Sequence, residues 1–119
     1  MTEGADVRVR ELNLYRRYFA LVVAGRKTIE VRVKYPHLEA LVPGDVIRFR
    51  VQGTDGWCDV QFKRVTEYAT FEELLDAEGV GNINPASSRE QQLTGIREIH
   101  PAKQEALGAL AVRIELLPQ

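Results

Sequence analysis

Four polar side chains with complementary chemistry lie close together between positions 27 and 32. Lys27 and Arg32 are cations, Glu30 between them is a carboxylate, and Thr28 carries a hydroxyl. Alternate residues of a strand share a face, so a strand here puts Thr28, Glu30 and Arg32 in one row. Lys27 precedes this row, and we expect it at the mouth of a pocket. The row can contact a ligand, or it can form only an ion pair between Glu30 and Arg32.

Each of these side chains has an ordinary role and a chemical one. Lys27 can be a solvated lysine, a phosphate contact or, with a lowered pKa, a general base. Glu30 lies beside two cations and should remain ionised, which suits acceptance of hydrogen bonds or activation of water. Arg32 can grip phosphate or stack on a base. Thr28 is a nucleophile only with a base beside it, and is otherwise a β-favouring residue.

The elements around this row must position it. Residues 28–33 alternate apolar and polar side chains, which predicts a strand with one face in the core. Residues 14–24 have helical periodicity, with Asn13 as a candidate N-cap and Gly25 as a left-handed C-cap. The row is therefore expected to follow directly after a helix.

The remaining pattern predicts further strands over 7–12, 46–51, 57–66 and 107–117, with a bulge near Val60. A capping box from Thr70 begins a helix to about Glu78, and another helix runs from Ser87 or Ser88 to about Ile99. Residues 79–84 are expected to form a loop. The order β-α-β-β-β-α-α-β predicts one α+β domain over residues 1–119, with a small twisted, barrel-like sheet of short antiparallel strands and about three helices.

Composition excludes several classes of protein. The 119 residues are 45% hydrophobic and 28% charged, with a net charge of −1. No apolar run is long enough to span a membrane, and the polar start, Met1 to Asp6, is unlike a secretory signal, so we expect a cytoplasmic protein. Cys58 is alone and His37 and His100 are far apart, so we expect no disulfide, metal or cofactor. A monomer or weak dimer is expected.

Other residues are candidates for contact with a nucleic acid. Tyr35 follows the polar row and is the best candidate to stack on an unpaired base, whereas Tyr18 is assigned to the core. Tyr15 and Trp57 are further stacking candidates. Two other groups can bind phosphate, although solvated strand faces and helix capping explain them equally well: Arg8, Arg10, Arg48 and Arg50, and Ser87, Ser88 and Arg89.

The stretch Gly25-Arg26-Lys27-Thr28-Ile29-Glu30-Val31-Arg32 resembles the motif of the ASCH family, roughly G-x-K-x-x-E-x-R. Three later stretches, at 43–45, 70–75 and 96–101, and the last strand at 107–112 also resemble the family in order, so the resemblance covers about Val9 to Leu117. It implies a PUA-like, small mixed or antiparallel β-barrel with a pocket lined by Lys27, Glu30 and Arg32. It further implies RNA or modified nucleosides as ligands.

Some ASCH members are enzymes, and the resemblance to them is incomplete. In the branch that hydrolyses the amide of N-acetylated cytidine, a threonine that is taken as catalytic occupies the position of Glu30, while Lys27 is matched. Thr28 is two residues earlier on the same face. The later catalytic glutamate of that branch aligns near Pro85, where this sequence has no acid.

Three hypotheses follow from these residues. The first is a domain that binds RNA or a nucleoside through Lys27, Glu30, Arg32 and Tyr35. The second is a hydrolase, either a nucleoside amidohydrolase or a metal-independent ribonuclease, with Lys27, Thr28 and Glu30 as its catalytic set. The third is a protein-interaction module whose pocket is vestigial.

Overall fold

The fold is one curled five-stranded sheet with helices on both of its faces. The computed structural model describes residues 9–35 and 42–118; Arg8, His37 and the predicted strand start at Val7 lie outside these ranges. The strands are β1 (Val9–Leu14), β2 (Ile29–Val33), β3 (Val46–Val51), β4 (Trp57–Tyr68) and β5 (Ala109–Leu116). The helices are α1 (Arg16–Val23), α2 (Phe71–Glu78), α3 (Val80–Ile83), α4 (Arg89–Ile99) and α5 (Ala102–Glu105).

The strand order is β1-β3-β4-β5-β2, which makes β1 and β2 the edges of the sheet. The resemblance allowed for a mixed or an antiparallel sheet, and one pair decides between them, because β1 runs parallel to β3. All other neighbours are antiparallel. The predicted bulge exists, and it lies between Phe62 and Arg64, slightly later than Val60. The sheet is therefore mixed, in agreement with an α+β, PUA-like architecture.

Hydrophobic residues on the two faces of the sheet form two clusters. One packs α1 against β3, β4 and β5, and its fully buried side chains include Phe49 and Phe62. The other packs α2, α3 and α4 against β2 and β5, around Phe71 and Leu74. Strand β5 serves both clusters, because successive side chains of a strand point to opposite faces. Cys58 lies in the first cluster, where burial raises the pKa of its thiol to about 11.

The boundary between β1 and α1 differs from the predicted one for a physical reason. Asn13 does not cap α1. It lies in β1 and pairs with Arg50 of β3, because the buried Leu14 extends the strand beyond it. Helix α1 therefore begins at Arg16, after Tyr15, with no side-chain cap. Residues 9–35 and 42–118 form five helices, where about three were predicted. The two additional ones, α3 and α5, are single turns, and α3 occupies the segment that was predicted to be a loop.

Candidate functional site

The turn after α1 carries Lys27 into the interior. Gly25 adopts a φ of 72°, a left-handed conformation that glycine enters without steric strain. The backbone nitrogens of Arg26 and Lys27 then both donate to Leu21 O. Thr28 N donates to Asn82 O at 2.8 Å, which ties the start of β2 to α3. As a result the Lys27 side chain is enclosed between β2 and α3 instead of pointing into water.

Lys27 is buried, with only 4% of its surface exposed. Its ammonium donates to Ile29 O at 2.8 Å and to Ile83 O at 3.3 Å, and it lies 3.3 Å from Glu30 Oε1. An ammonium has three N–H donors, so these three acceptors use all of them. Burial lowers the pKa of Lys27, while the neighbouring Glu30 raises it again. The expectation of a lysine at the mouth of the pocket was therefore wrong, since its charged end is held within the protein.

Glu30 is also buried, and two cations hold its carboxylate. Arg32 Nε and Nη2 lie 2.9 Å and 2.8 Å from Glu30 Oε2, while Lys27 contacts Oε1. Burial alone would raise the pKa of Glu30, but Arg32 and Lys27 together lower it below its ordinary value. The group is therefore a carboxylate at neutral pH. The ion pair between Glu30 and Arg32 exists, and Lys27 makes it a buried triad with one excess positive charge.

Arg32 links the two edges of the sheet. Its Nη2 also donates to Asn13 O at 2.9 Å, so a side chain from β2 reaches the end of β1 across the open side of the sheet. Its Nη1 makes no hydrogen bond to any of the described residues. Arg32 is partly exposed, and this remaining nitrogen leaves it two N–H donors for a ligand.

A cleft of about 590 Å³ opens beside this triad. The end of β1 and the first turns of α1 form one wall of the cleft. Lys27, Glu30 and Arg32 form its floor together with β2. Helix α4 and the loop before it form the opposite wall. Its ionisable lining consists of three cations and three carboxylates, with one histidine: Arg17, Lys27 and Arg32; Glu30, Glu90 and Glu98; His100. The cleft as a whole is close to neutral, but its charges are not evenly distributed.

The α1 wall presents an aromatic and cationic surface. Tyr15 and Tyr18 meet edge to face, with ring centroids 6.4 Å apart. The guanidinium of Arg17 lies 4.9 Å from the Tyr18 centroid and 5.5 Å from that of Tyr15, within range of cation–π attraction. Lys27 Nζ lies 5.3 Å from the same Tyr18 ring. Tyr18 thus packs partly against the core, as predicted, and also lines the cleft.

The α4 wall was not predicted to contribute to the site. His100 follows α4, and its Nδ1 lies 2.9 Å from the Tyr35 hydroxyl. Burial and then the nearby Arg32 lower the pKa of His100, so its ring is neutral at pH 7. With Tyr35 assigned as the donor, the ring proton is on Nε2. The sequence gives no local signal for this role, because it depends on how α4 docks.

Gln92 fixes the loop that precedes α4. It is buried, and its Nε2 donates to the carbonyl oxygens of Val80, Asn84 and Ser87 at 2.8 to 3.1 Å. These contacts hold the segment that also provides Ile83 O to Lys27. Gln92 thereby connects the α4 wall to the buried triad.

The structure brings together some of the predicted site residues and separates others. Lys27, Glu30 and Arg32 line the cleft, whereas Thr28 and Tyr35, both described residues, do not. Tyr35 packs behind His100 and not at the surface of the cleft. The strand therefore does not extend the polar row to Thr28, whose backbone atoms bond to Asn82 and Ile114.

Most of the other candidates for phosphate contact are paired with a carboxylate or cap a helix. Arg48 pairs with Asp59 and Arg50 with Glu11. Arg89 pairs with Asp76, and Ser88 caps α4. Ser87 alone of that group lines the cleft. A phosphate track along the strands is therefore not favoured.

Within the two described ranges, no group of three or more His, Cys, Asp or Glu side chains could hold a metal ion. None of the helices that the structure describes is long and apolar enough to cross a membrane.

Comparison with known proteins points to one family. The family model described as ASCH domain matches residues 12–118. The crystal structure of the hypothetical protein PH0355 is similar, with a TM-score of 0.81 and 31% identity over 92% of this chain and 99% of that one. The solution structure of Protein PF0455 from Pyrococcus furiosus gives a TM-score of 0.75 and 28% identity, over 93% and 99% of the two chains.

The crystal structure of ASCH from Zymomonas mobilis shares the fold, with a TM-score of 0.65. Its identity is 13%, over 91% of this chain and 67% of that one, so the likeness concerns the fold alone. No curated protein sequence matches the chain.

Proposed function

Because this chain belongs to the ASCH domain family, we propose that its cleft binds RNA or a modified nucleoside through Glu30 and Arg32. The observation that carries the proposal is a buried carboxylate, ionised by two cations, on the floor of a cleft of about 590 Å³. Burial of a carboxylate is unfavourable unless an opposite charge is paired with it. The Lys27–Glu30–Arg32 triad is therefore maintained by the fold and is not a row of solvated side chains on a strand.

The atoms that remain available match the edge of a nucleobase. Glu30 Oε1 accepts from Lys27 and has room for one further donor, while Arg32 Nη1 is a donor without a partner among the described residues. A carboxylate oxygen suits the amino group of cytosine or adenine, and a guanidinium nitrogen suits a ring nitrogen, a carbonyl oxygen or a phosphate oxygen. In this proposal Lys27 positions Glu30 and does not touch the ligand. Tyr35 likewise acts through His100.

The charge of the cleft supports recognition of a nucleobase and not non-specific attraction of the phosphate backbone of a nucleic acid. Six ionisable side chains other than His100 line it, and their charges cancel. Five arginines elsewhere on the protein are paired with carboxylates: Arg48, Arg50, Arg64, Arg89 and Arg97. A protein that grips many phosphates needs a continuous basic surface, which this arrangement does not offer.

Two features favour binding over hydrolysis. Burial lowers the pKa of Lys27, but three protein acceptors surround its nitrogen and leave no position on it for a ligand. Thr28 is outside the lining of the cleft and cannot reach a ligand there without a rearrangement. Incubation with N4-acetylcytidine and with single-stranded RNA, followed by chromatography, is expected to give no product. Formation of cytidine or of cleaved RNA would instead support the hydrolase alternative.

The binding test is a titration of nucleosides and short single-stranded RNA into the wild type and two variants. Arg32→Gln removes a charged donor, and we expect about a tenfold or greater loss of affinity. Glu30→Gln exchanges the acceptor for an amide and should alter which bases bind. Lys34→Gln, two residues along the same chain and exposed in a pair with Glu67, is the control and should bind normally. Equal affinities for Arg32→Gln, Lys34→Gln and the wild type would refute the proposal.

A further inference from the structure

Arg17 differs from every other cation that lines the cleft. Lys27 and Arg32 are neutralised in part by Glu30. Arg17 is exposed and contacts no carboxylate among the described residues; its neighbours are the rings of Tyr15 and Tyr18, and its Nη2 lies 3.5 Å from the Tyr18 hydroxyl. Aromatic rings hold a guanidinium without cancelling its charge, so its N–H edges stay available to an anion.

The two walls of the cleft have opposite charge. Arg17 is on the α1 wall, whereas Glu90 and Glu98 are on the α4 wall, where neither forms an ion pair with a described residue. An anionic group on a ligand is attracted to the first wall and repelled by the second. A bound ligand that carries a phosphate therefore has one preferred orientation.

Tyr15 adds a second kind of contact next to Arg17. Tyr15 is 44% exposed, although its ring packs edge to face with that of Tyr18. An exposed tyrosine at the lip of a cleft is a platform on which an unpaired base can stack. A cation and an aromatic platform side by side match the repeating unit of a single strand, a phosphate followed by a base.

We propose that the Tyr15–Arg17–Tyr18 cluster binds the phosphate attached to the nucleoside whose base enters the cleft. This inference rests on the proposed function and specifies its ligand class as a nucleotide, free or within RNA, and not an unphosphorylated nucleoside. Arg17 contacts the phosphate, Tyr18 holds Arg17 in place, and Tyr15 stacks on the next base when the ligand is a strand.

The test compares each common ribonucleoside and N4-acetylcytidine with its 3′- and 5′-monophosphates by calorimetric titration at low salt. One charge-assisted contact to phosphate should make one of the monophosphates bind about tenfold more tightly than its nucleoside. Arg17→Gln should remove this gain, so that this variant binds the monophosphate and its nucleoside with equal affinity. Arg16→Gln, an exposed neighbour on α1 that does not line the cleft, is the matched control and should keep the gain.

A third variant distinguishes a free nucleotide from RNA. Tyr15→Leu should weaken binding of a trinucleotide by about fivefold or more through lost stacking, and it should weaken binding of a mononucleotide less. Equal loss for the trinucleotide and the mononucleotide would limit the ligand to a single nucleotide and overturn the stacking role.

The outcomes separate the two proposals. Binding of nucleosides by the wild type with no gain from phosphate would overturn this inference and leave the proposed function standing. A gain that persists in Arg17→Gln, or that is lost equally in Arg16→Gln, would overturn it as well. No binding of any nucleoside, nucleotide or RNA would overturn the proposed function and this inference together.

Discussion

Replacement of Lys27 by methionine tests whether this lysine is a structural cation. Methionine keeps most of the length and apolar surface of the stem but removes the charge. In Lys27→Met the carbonyl oxygens of Ile29 and Ile83 lose a donor, and buried Glu30 loses one of its two cations. The variant should therefore fold less stably, and not merely bind less well.

The size of the effect follows from these contacts. Loss of one partner of a buried ion pair destabilises a protein by roughly 3–5 kcal/mol. Arg32 still holds Glu30, and burial of the lysine charge is itself unfavourable, so we expect the lower end, about 3 kcal/mol. For a domain of this size that corresponds to a fall in Tm of roughly 12 °C.

The assay is urea and thermal unfolding of four proteins. Lys34→Met is the matched control, because its pair with Glu67 is exposed and worth at most about 1 kcal/mol. The double variant Lys27→Met/Glu30→Gln also removes the buried negative charge. It should be more stable than Lys27→Met alone, by about 1 kcal/mol or more. If Lys27→Met is as stable as Lys34→Met, the ammonium is not held as described and the reasoning fails.

Three further predictions concern the elements that position the cleft. Ser88→Ala should lower the free energy of unfolding by about 1 kcal/mol, because Ser88 and Gln91 form a reciprocal capping box at α4; an unchanged urea midpoint would contradict this. Gly108→Ala should destabilise by roughly 1–3 kcal/mol, since Gly108 has a φ of 125° and a Cβ there would lie 2.8 Å from Glu67 Oε2. A Cβ added at Gly81 would have no atom within 4 Å, so Gly81→Ala should leave the free energy of unfolding unchanged in the same experiment. The pKa of Glu30 is lower in the folded protein than its ordinary value of 4.5, so the unfolded chain takes up more protons below that pH. Wild-type stability should therefore fall as the pH drops below about 4.5, Glu30→Gln should lose less over that range, and parallel curves would show that Glu30 is not the group responsible.

Local signals in the sequence were enough to predict most of the elements. The capping residue Thr70 does accept from Glu73 N at 3.1 Å, and the helix that it starts ends at Glu78 as expected. Strand β3 has the predicted bounds. These features depend on residues within a few positions of one another, because the side chains that cap a helix or form a turn bond to backbone groups nearby in the chain.

Non-local contacts explain what the sequence did not predict. The burial of Lys27 depends on Ile83 O, which belongs to a segment 56 residues later in the chain. The parallel pairing of β1 with β3 likewise depends on how the sheet curls and not on the pattern of either strand. His100 and Gln92 enter the site only because α4 docks over β2, and nothing in their local sequence indicates it.

The sequence left two interpretations of Glu30 and Arg32, an ion pair or a ligand pocket, and the ion pair does not exclude the pocket. The pair exists, and a second cation, Lys27, contacts the same carboxylate. A carboxylate between two cations leaves one positive charge in excess on the floor of the cleft, while the α4 wall carries Glu90 and Glu98. A ligand is best accommodated when its acceptors face the triad and Arg17 and its donors face α4. In our proposal that polarity, which follows from the position of Lys27, sets the orientation of a bound nucleotide, and Arg17→Gln tests it.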